Sequence, residues 1–318
     1  MTQLPPTIAF GHGITAVDTD YVRPRLDASH VILRDGRAAF VDTGTTHSVP
    51  GLLAGLKSVG ATPEQVDYVF LTHIHLDHAG GAGELMKHLP VAKAVVHPRG
   101  AGHMVHPEKL IEGTKAVYGE AEFRRLYGEI PGIPAERVIQ ASDGMKLQLG
   151  DSELTFIHTP GHALHHYCIV DPESESVFTG DTFGISYRVF DTAKGPFIFP
   201  ATTPVHFDPV QAHASLDRIM SHHPKQVFLT HYSRVSDLTR LAKDMHAGID
   251  AHVRIAESVS GAGEERLKQL REKIHAWLVE RVREHGCSLD QEIVDLWLGM
   301  DVDLNAKGLA VWLDRKKP

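Results

Sequence analysis

Short apolar runs along this chain repeatedly end on a histidine, aspartate or threonine beside a small residue. Val31-Ile32-Leu33 and Ala38-Ala39-Phe40-Val41 flank Arg34-Asp35-Gly36-Arg37, and the Asp-Gly pair predicts a hairpin. The second of these strands runs into Asp42-Thr43-Gly44. Residues 49–59 have helical periodicity and stop at Gly60. Val66-Asp67-Tyr68-Val69-Phe70-Leu71 predicts a buried strand, followed by a polar loop and a helix over 84–89. Residues 91–97 predict a strand and 120–127 a helix. Residues 146–157 alternate around Gly150-Asp151 as a second hairpin, and 167–170 and 176–179 predict two short strands. Asp208 as N-cap with Pro209 at the first helical position opens a helix to residue 222, and 226–230 predicts the last strand.

Beyond Tyr232 the pattern changes to helical periodicity over 235–259, 264–285 and 290–298, with glycines between. In the second of these, Leu267, Leu270, Ile274, Trp277, Leu278 and Val282 form an apolar stripe whose simplest use is packing against the same chain, with a substrate rim or a dimer interface as alternatives. A boundary near residue 235 divides the chain into a main domain, 1–234, and a helical C-terminal region, 235–318.

At 318 residues the chain has room for one large domain, or one with an appendage. A hydrophobic fraction of 42% and a charged fraction of 23% suit a soluble globular protein. The net charge of −8, with no long Lys/Arg block, speaks against nucleic-acid binding through a basic face. Cys168 and Cys287 stand in no metal-ligand spacing and form no disulfide scaffold. Residues 1–13 have no basic stretch followed by an apolar one, and no apolar run reaches the ~18 residues of a membrane span. The expectation is a cytoplasmic protein whose partner is a small-molecule substrate, neither nucleic acid nor membrane, with a homodimer compatible with the C-terminal stripe.

Candidate chemistry concentrates in Leu71-Thr72-His73-Ile74-His75-Leu76-Asp77-His78, followed by Ala79-Gly80-Gly81-Ala82-Gly83. Just past a strand, residues two apart point the same way, so His73 and His75 converge on one ion. Asp77 and His78, after a turn, face a second. Imidazole suits Zn²⁺ and Fe, and carboxylate adds a hard oxygen ligand. Four more segments place His or Asp at a strand end: Val41-Asp42-Thr43-Gly44, Thr159-Pro160-Gly161-His162, Phe178-Thr179-Gly180-Asp181-Thr182 and Leu229-Thr230-His231.

These five motifs, in this order, resemble those of the metallo-β-lactamase fold superfamily, within it the hydroxyacylglutathione hydrolase and lactonase-like branch and an archaeal and bacterial subgroup with appended C-terminal helices. The resemblance implies an α/β (α+β) fold, an αββα sandwich of two mixed sheets, here with a C-terminal helical extension. It implies a dinuclear centre in which His73, His75 and His162 bind the first ion, Asp77, His78 and His231 the second, and Asp181 bridges both. Asp42 orients a ligand from behind, because metal-bound imidazoles need a partner on the other ring nitrogen. His166 is either a similar support or structural. Thr230 departs from the family's commoner glycine before the last histidine. His158 and His165 read as bystanders. His97, His103 and His106 read as positions in a Pro/Gly-containing loop, solvated or at the pocket mouth.

Two metal ions about 3.5–4 Å apart share a water and lower its pKa towards 7. The resemblance therefore implies hydrolysis of a carboxylic ester, lactone or thioester by a metal-bridging hydroxide, with Asp77 steering the proton. Zn is the expected metal, and Fe or Mn also suits the donor set. A di-iron oxygen-binding or redox protein is the alternative, opposed by His75 where the flavodiiron reductases carry Glu. A phosphodiesterase is a third, opposed by the lack of a basic patch. Residues 184–206 read as a long loop bordering the site, with Tyr187 and Phe197 as candidate pocket residues and Phe190, Phe199 and Phe207 nearby.

Overall fold

The computed structural model describes residues 6–203 and 205–316, so the first five residues of the N-terminal stretch lie outside the described residues. The chain forms two compact units. The first comprises Met1–His158, His165–Gly180 and Pro224–Arg234; the second comprises Thr159–Leu164, Asp181–His223 and Val235–Pro318.

The first unit is built on two sheets. Its elements in chain order are β1 (Thr7–Ala9), β2 (Ile14–Asp18), β3 (Ala28–Arg34), β4 (Arg37–Val41), α1 (Val49–Ser58), β5 (Val66–Leu71), the single helical turn α2 (Leu76–Ala79), α3 (Ala82–His88) and β6 (Lys93–Val96). There follow α4 (Pro98–Val105), α5 (Glu108–Tyr118), α6 (Glu120–Tyr127), β7 (Val138–Gln140), β8 (Lys146–Leu149), β9 (Ser152–His158), β10 (Tyr167–Asp171), β11 (Ser176–Gly180) and β12 (Gln226–Leu229), with β13 (Ser233–Val235) at its end. One sheet has the order β1-β2-β3-β4-β5-β6-β7 and the other β13-β12-β11-β10-β9-β8. Both are mixed: β1 to β4 pair antiparallel and β4 to β7 parallel, while β8 to β11 pair antiparallel and β11 with β12 parallel.

The strand period of two sorts the first sheet's side chains between two cores. Phe40, Val69, Leu71, Ala94 and Val96 pack with Leu52 and Leu56 of α1 and Leu85 and Met86 of α3. Their neighbours Ala39, Val41, Phe70 and Val95 point the other way, onto Phe156, Tyr167, Ile169, Phe178 and Phe228 of the second sheet. The sheets thus pack face to face. The 34–37 hairpin closes through Asp35 and Gly36, both at positive φ (42° and 71°), which matches the twist of the strands it joins.

Two local expectations in this unit differ from the structure. The metal motif is partly helical, because Leu76–Ala79 completes one turn. The segment holding His97, His103 and His106 is a helix: Pro98 takes the first position, where no N–H is needed, and the His97 side chain caps it by accepting from Arg99 N–H at 3.1 Å. Gly100, which makes the segment look like a loop, lets this helix close on Ile74 and Val96.

The second unit contains α7 (Pro209–Ser221), α8 (Leu238–Glu257), α9 (Gly263–Glu284) and α10 (Gln291–Lys316). Asp208 caps α7 by accepting from Gln211 N–H at 3.0 Å. The α9 stripe buries Leu270, Ile274, Leu278 and Val282 completely, and α9 packs on α10 and α8. The third C-terminal helix, expected to end at residue 298, runs 26 residues to Lys316. Gly299 and Gly308 disguise it; a Cβ at Gly308 would lie 1.6 Å from the Thr202 carbonyl oxygen. No helix among the described residues is long and apolar enough to cross a membrane.

Two predictions follow from this packing. Gly308→Ala drives a methyl into a backbone carbonyl and should lower stability by about 1–3 kcal/mol, whereas Gly299→Ala, with nothing within 4 Å, should raise it by about 0.5–1 kcal/mol. Equal urea midpoints for the two variants would contradict the close approach. His252 on α8 is fully buried, its Nδ1–H donating to the Gly248 carbonyl at 2.9 Å, and burial lowers its pKa from 6.5 to about 4. The unfolded chain then binds a proton that the folded chain rejects, so this contribution is complete above pH 6.5 and is lost as pH falls towards 4. The loss is on the order of 3 kcal/mol, and buried His30, also lowered to about 4, adds to it. The urea midpoint should fall less steeply with acid in His252→Gln than in wild type.

Candidate metal centre

The first unit supplies five of the candidate ligands from strand ends. His73 and His75 follow β5, Asp77 and His78 lie on the turn α2, and His231 follows β12. His73 and His78 are fully buried, and His231 is nearly so. His75 and Asp77 are half-buried, the Asp77 side chain being 24% exposed.

Two of these imidazoles are fixed from behind by buried carboxylates. His78 Nδ1 lies 2.8 Å from Asp42 Oδ2, and His231 Nδ1 lies 2.6 Å from Asp27 Oδ1. A carboxylate only accepts, so each ring carries its proton on Nδ1 and presents the lone pair of Nε2. Both Nε2 atoms converge on Asp77 Oδ2, from 3.7 Å for His78 and 3.6 Å for His231. A tetrahedral ion with bonds of about 2.0–2.2 Å holds its donors roughly 3.3–3.6 Å apart. The donor atoms of Asp77, His78 and His231 therefore fit one ion, and the carboxylate–imidazole pairs are the usual outer support of such a site.

Asp42 does more than hold His78. Its Oδ1 accepts the Thr72 backbone N–H at 2.8 Å, and its Oδ2 accepts the hydroxyls of Thr72 at 2.8 Å and Thr230 at 2.7 Å. The Thr72 hydroxyl, by donating to Asp42, is left to accept from His73 Nδ1–H at 3.2 Å. His73 Nε2 then stands 2.8 Å from His75 Nδ1. One carboxylate thus sets His78 directly and His73 through a hydroxyl. Asp42 sits at φ 55°, a conformation uncommon for a residue with a side chain.

Asp27, Thr72 and Thr230 were not singled out as functional from sequence. The threonines carry a signal in hindsight, since Leu-Thr-His ends both β5 and β12 and each hydroxyl reaches the same carboxylate. Thr230, a departure from the family's glycine, supplies a donor. Asp27 lies in ordinary sequence before β3. Its complete burial raises its pKa to about 6, and the facing His231 acts to lower it. His166 is fully buried with its ring 4.9 Å from that of His73, and the ring of His165 lies 5.6 Å edge-on to His75. His158 lies 4.1 Å from His97, ring to ring.

The second unit holds His162 and Asp181, both buried, with His162 Nε2 3.5 Å from Asp181 Oδ2. His162 Nδ1–H donates to the Ala201 carbonyl at 3.0 Å, so here too Nε2 carries the lone pair. Gly161 before it has φ 132°, and a Cβ there would lie 2.4 Å from Ala212 N on α7, so the loop requires glycine. A cavity of about 10 Å³, room for one water, adjoins His162 and Asp181 and is walled by Phe207, Met245 and Ile249. Tyr187 and Phe197 are not among its lining residues. Tyr187 is fully buried and donates to Asp301 at 3.0 Å, and Phe197 packs on Phe190 and His285. The imidazole and carboxylate set of the chain is chemically compatible with a dinuclear centre.

Removing one support at a time should separate the two kinds of ligand. Asp27→Asn leaves His231 in place without its anionic partner, and Thr72→Val cuts the link from Asp42 to His73. Each should weaken Zn²⁺ binding by about 10–100-fold in competition with a coloured chelator. Affinities equal to wild type in both variants would show that these contacts do not orient ligands.

Comparison with known proteins identifies the family. The profile of the metallo-beta-lactamase superfamily matches residues 23–231. A metallo-beta-lactamase fold-containing protein of Sulfurisphaera tokodaii is 26% identical over 229 residues, 71% of this chain and 79% of that protein. A hydroxyacylglutathione hydrolase of Xanthomonas euvesicatoria is 30% identical over 196 residues, 61% of this chain and 58% of that enzyme. The crystal structure of an archaeal metallo-beta-lactamase superfamily protein from Sulfolobus tokodaii superposes with a TM-score of 0.67 at 22% identity, covering 94% of this chain and 98% of that one. With the profile spanning most of the chain and all five motifs inside or at the edge of it, the protein belongs to the metallo-beta-lactamase superfamily.

Proposed function

We propose that this protein is a dinuclear metal-dependent hydrolase of a carboxylic ester, lactone or thioester. The observation that carries the proposal is the convergence of Asp77 Oδ2 with the Nε2 atoms of His78 and His231, each ring backed by a buried carboxylate. In this proposal His73, His75 and His162 would hold one ion and Asp77, His78 and His231 the other, with Asp181 as a further ligand. Two bound divalent ions supply water that ionises near neutral pH and Lewis acidity towards a carbonyl oxygen.

The chain's own residues do the rest. Asp42 and Asp27 keep Nδ1 protonated on His78 and His231, so that Nε2 remains the donor under working conditions. Asp77 is exposed enough to meet substrate, and its carboxylate has an oxygen left over to accept a proton and pass it to the leaving group. Phe207, Met245 and Ile249 keep the surroundings of His162 and Asp181 apolar, which strengthens electrostatic interactions there. The hydroxyacylglutathione hydrolase relative supports a thioester within this range, and the acidic net charge of −8 speaks against a polyanionic nucleic-acid substrate.

The test is a hydrolysis screen of metal-loaded protein against thioesters, lactones, carboxylic esters and phosphodiesters. Turnover of one acyl class should fall at least ~100-fold in Asp77→Ala and in Asp181→Ala. Failure to turn over any class while two ions are bound would favour the di-iron redox alternative and overturn the hydrolase.

A further inference from the structure

A second group of metal-binding side chains lies in the helices of the second unit. His213 and Asp217 are four residues apart on α7, and His246 and Asp250 are four apart on α8, so each pair shares one face of its helix. The pairs cross. His213 Nε2 lies 3.2 Å from Asp250 Oδ1, and His246 Nε2 lies 3.2 Å from Asp217 Oδ1. The imidazole planes are parallel within 4°, their centroids are 4.9 Å apart, and the two Nδ1 atoms face each other at 2.6 Å.

Asp250 accepts from His213 Nε2–H, which leaves the lone pair of that ring on Nδ1, and Asp217 Oδ1 stands at the far nitrogen of His246. The two Nδ1 atoms are joined by a proton that one ring donates to the other, and a divalent ion can take that proton's place. We propose that His213 and His246 form a third metal site, a two-imidazole clip for a divalent ion of the Zn²⁺ or Cu²⁺ kind, with water completing its coordination. The protein supplies what such a site needs: two nitrogen donors from separate helices, each ring oriented by a carboxylate on its far nitrogen. To take a tetrahedral ion the Nδ1 atoms need to part only to roughly 3.3 Å. The rings are free to do so, since their side chains are 29% and 31% exposed.

The clip would tie α8 to the helix that carries the His162 loop. Asp208 N–H at the start of α7 donates to the Gly161 carbonyl at 2.8 Å, and Ser215 Oγ donates to the Pro160 carbonyl at 2.6 Å. An ion at His213 and His246 would therefore brace α7 behind a candidate ligand of the main centre.

The experiment is equilibrium dialysis of full-length protein against Zn²⁺, with bound metal counted by mass spectrometry. Wild type should hold one equivalent more than the His213→Gln/His246→Gln double variant, and Asp217→Asn/Asp250→Asn should weaken that extra equivalent by about 10–100-fold. Cu²⁺ added to Zn²⁺-loaded wild type should give an electron paramagnetic resonance signal split by two imidazole nitrogens. Should the double variant aggregate, loss of that signal in His246→Gln alone gives the same answer. Equal stoichiometry in wild type and variant, as expected if the two Nδ1 atoms merely share a proton, or a Cu²⁺ signal without nitrogen splitting, would overturn the proposal.

Discussion

The carboxylate of Asp42 is the constraint on which the first unit's ligand cluster depends. It is buried, and it accepts from the Thr72 backbone, the Thr72 and Thr230 hydroxyls and His78. These partners come from the ends of β5 and β12, strands of different sheets. A buried charge is tolerable only when its lone pairs are met by donors. Four donors from two sheets therefore hold the strand ends in register with one another, and the imidazoles that follow inherit that placement.

The site in turn explains features that look wasteful elsewhere in the first unit. A left-handed backbone at Asp42 and a fully buried Asp27 are each unfavourable in isolation. They persist because the surroundings fix them: Asp42 N–H donates to the Phe70 carbonyl at 2.8 Å, and the Ser29 hydroxyl donates to the Asp42 carbonyl at 2.8 Å. Their result is that His78 and His231 each present a single nitrogen towards Asp77. Pre-organisation of this kind is how a rigid scaffold holds donor atoms to within a few tenths of an ångström.

The helices of the second unit serve position more than chemistry. α7 packs so close behind Gly161 that no side chain fits, and α10 meets the backbone at Thr202 through Gly308. The Thr202 N–H also donates to Asn305 Oδ1 at 2.6 Å, next to the Ala201 carbonyl that fixes His162. The loop that looks like a substrate border in sequence is in large part anchored this way, with Tyr187 bound to Asp301 and Phe197 inside an aromatic cluster.

Local pattern was enough for elements whose signals are local. β5, α6, the Asp-Gly hairpin and the Asp208-capped start of α7 all stand where periodicity and turn chemistry put them. Gly100 in α4 and Gly308 in α10 read as helix breakers, yet their close approaches, to Ile74 and to Thr202, exist only in the packed molecule. The same division holds for the site. Its histidines and aspartates are legible because each stands in a short motif at a strand end. Asp27 behind His231, Thr230 on Asp42, and the crossed His–Asp pairs of α7 and α8 join residues far apart in sequence. Sequence by itself determined which side chains are able to bind metal. The tertiary structure alone decided which carboxylate backs which ring, because that depends on sheet register and helix packing and not on any spacing along the chain.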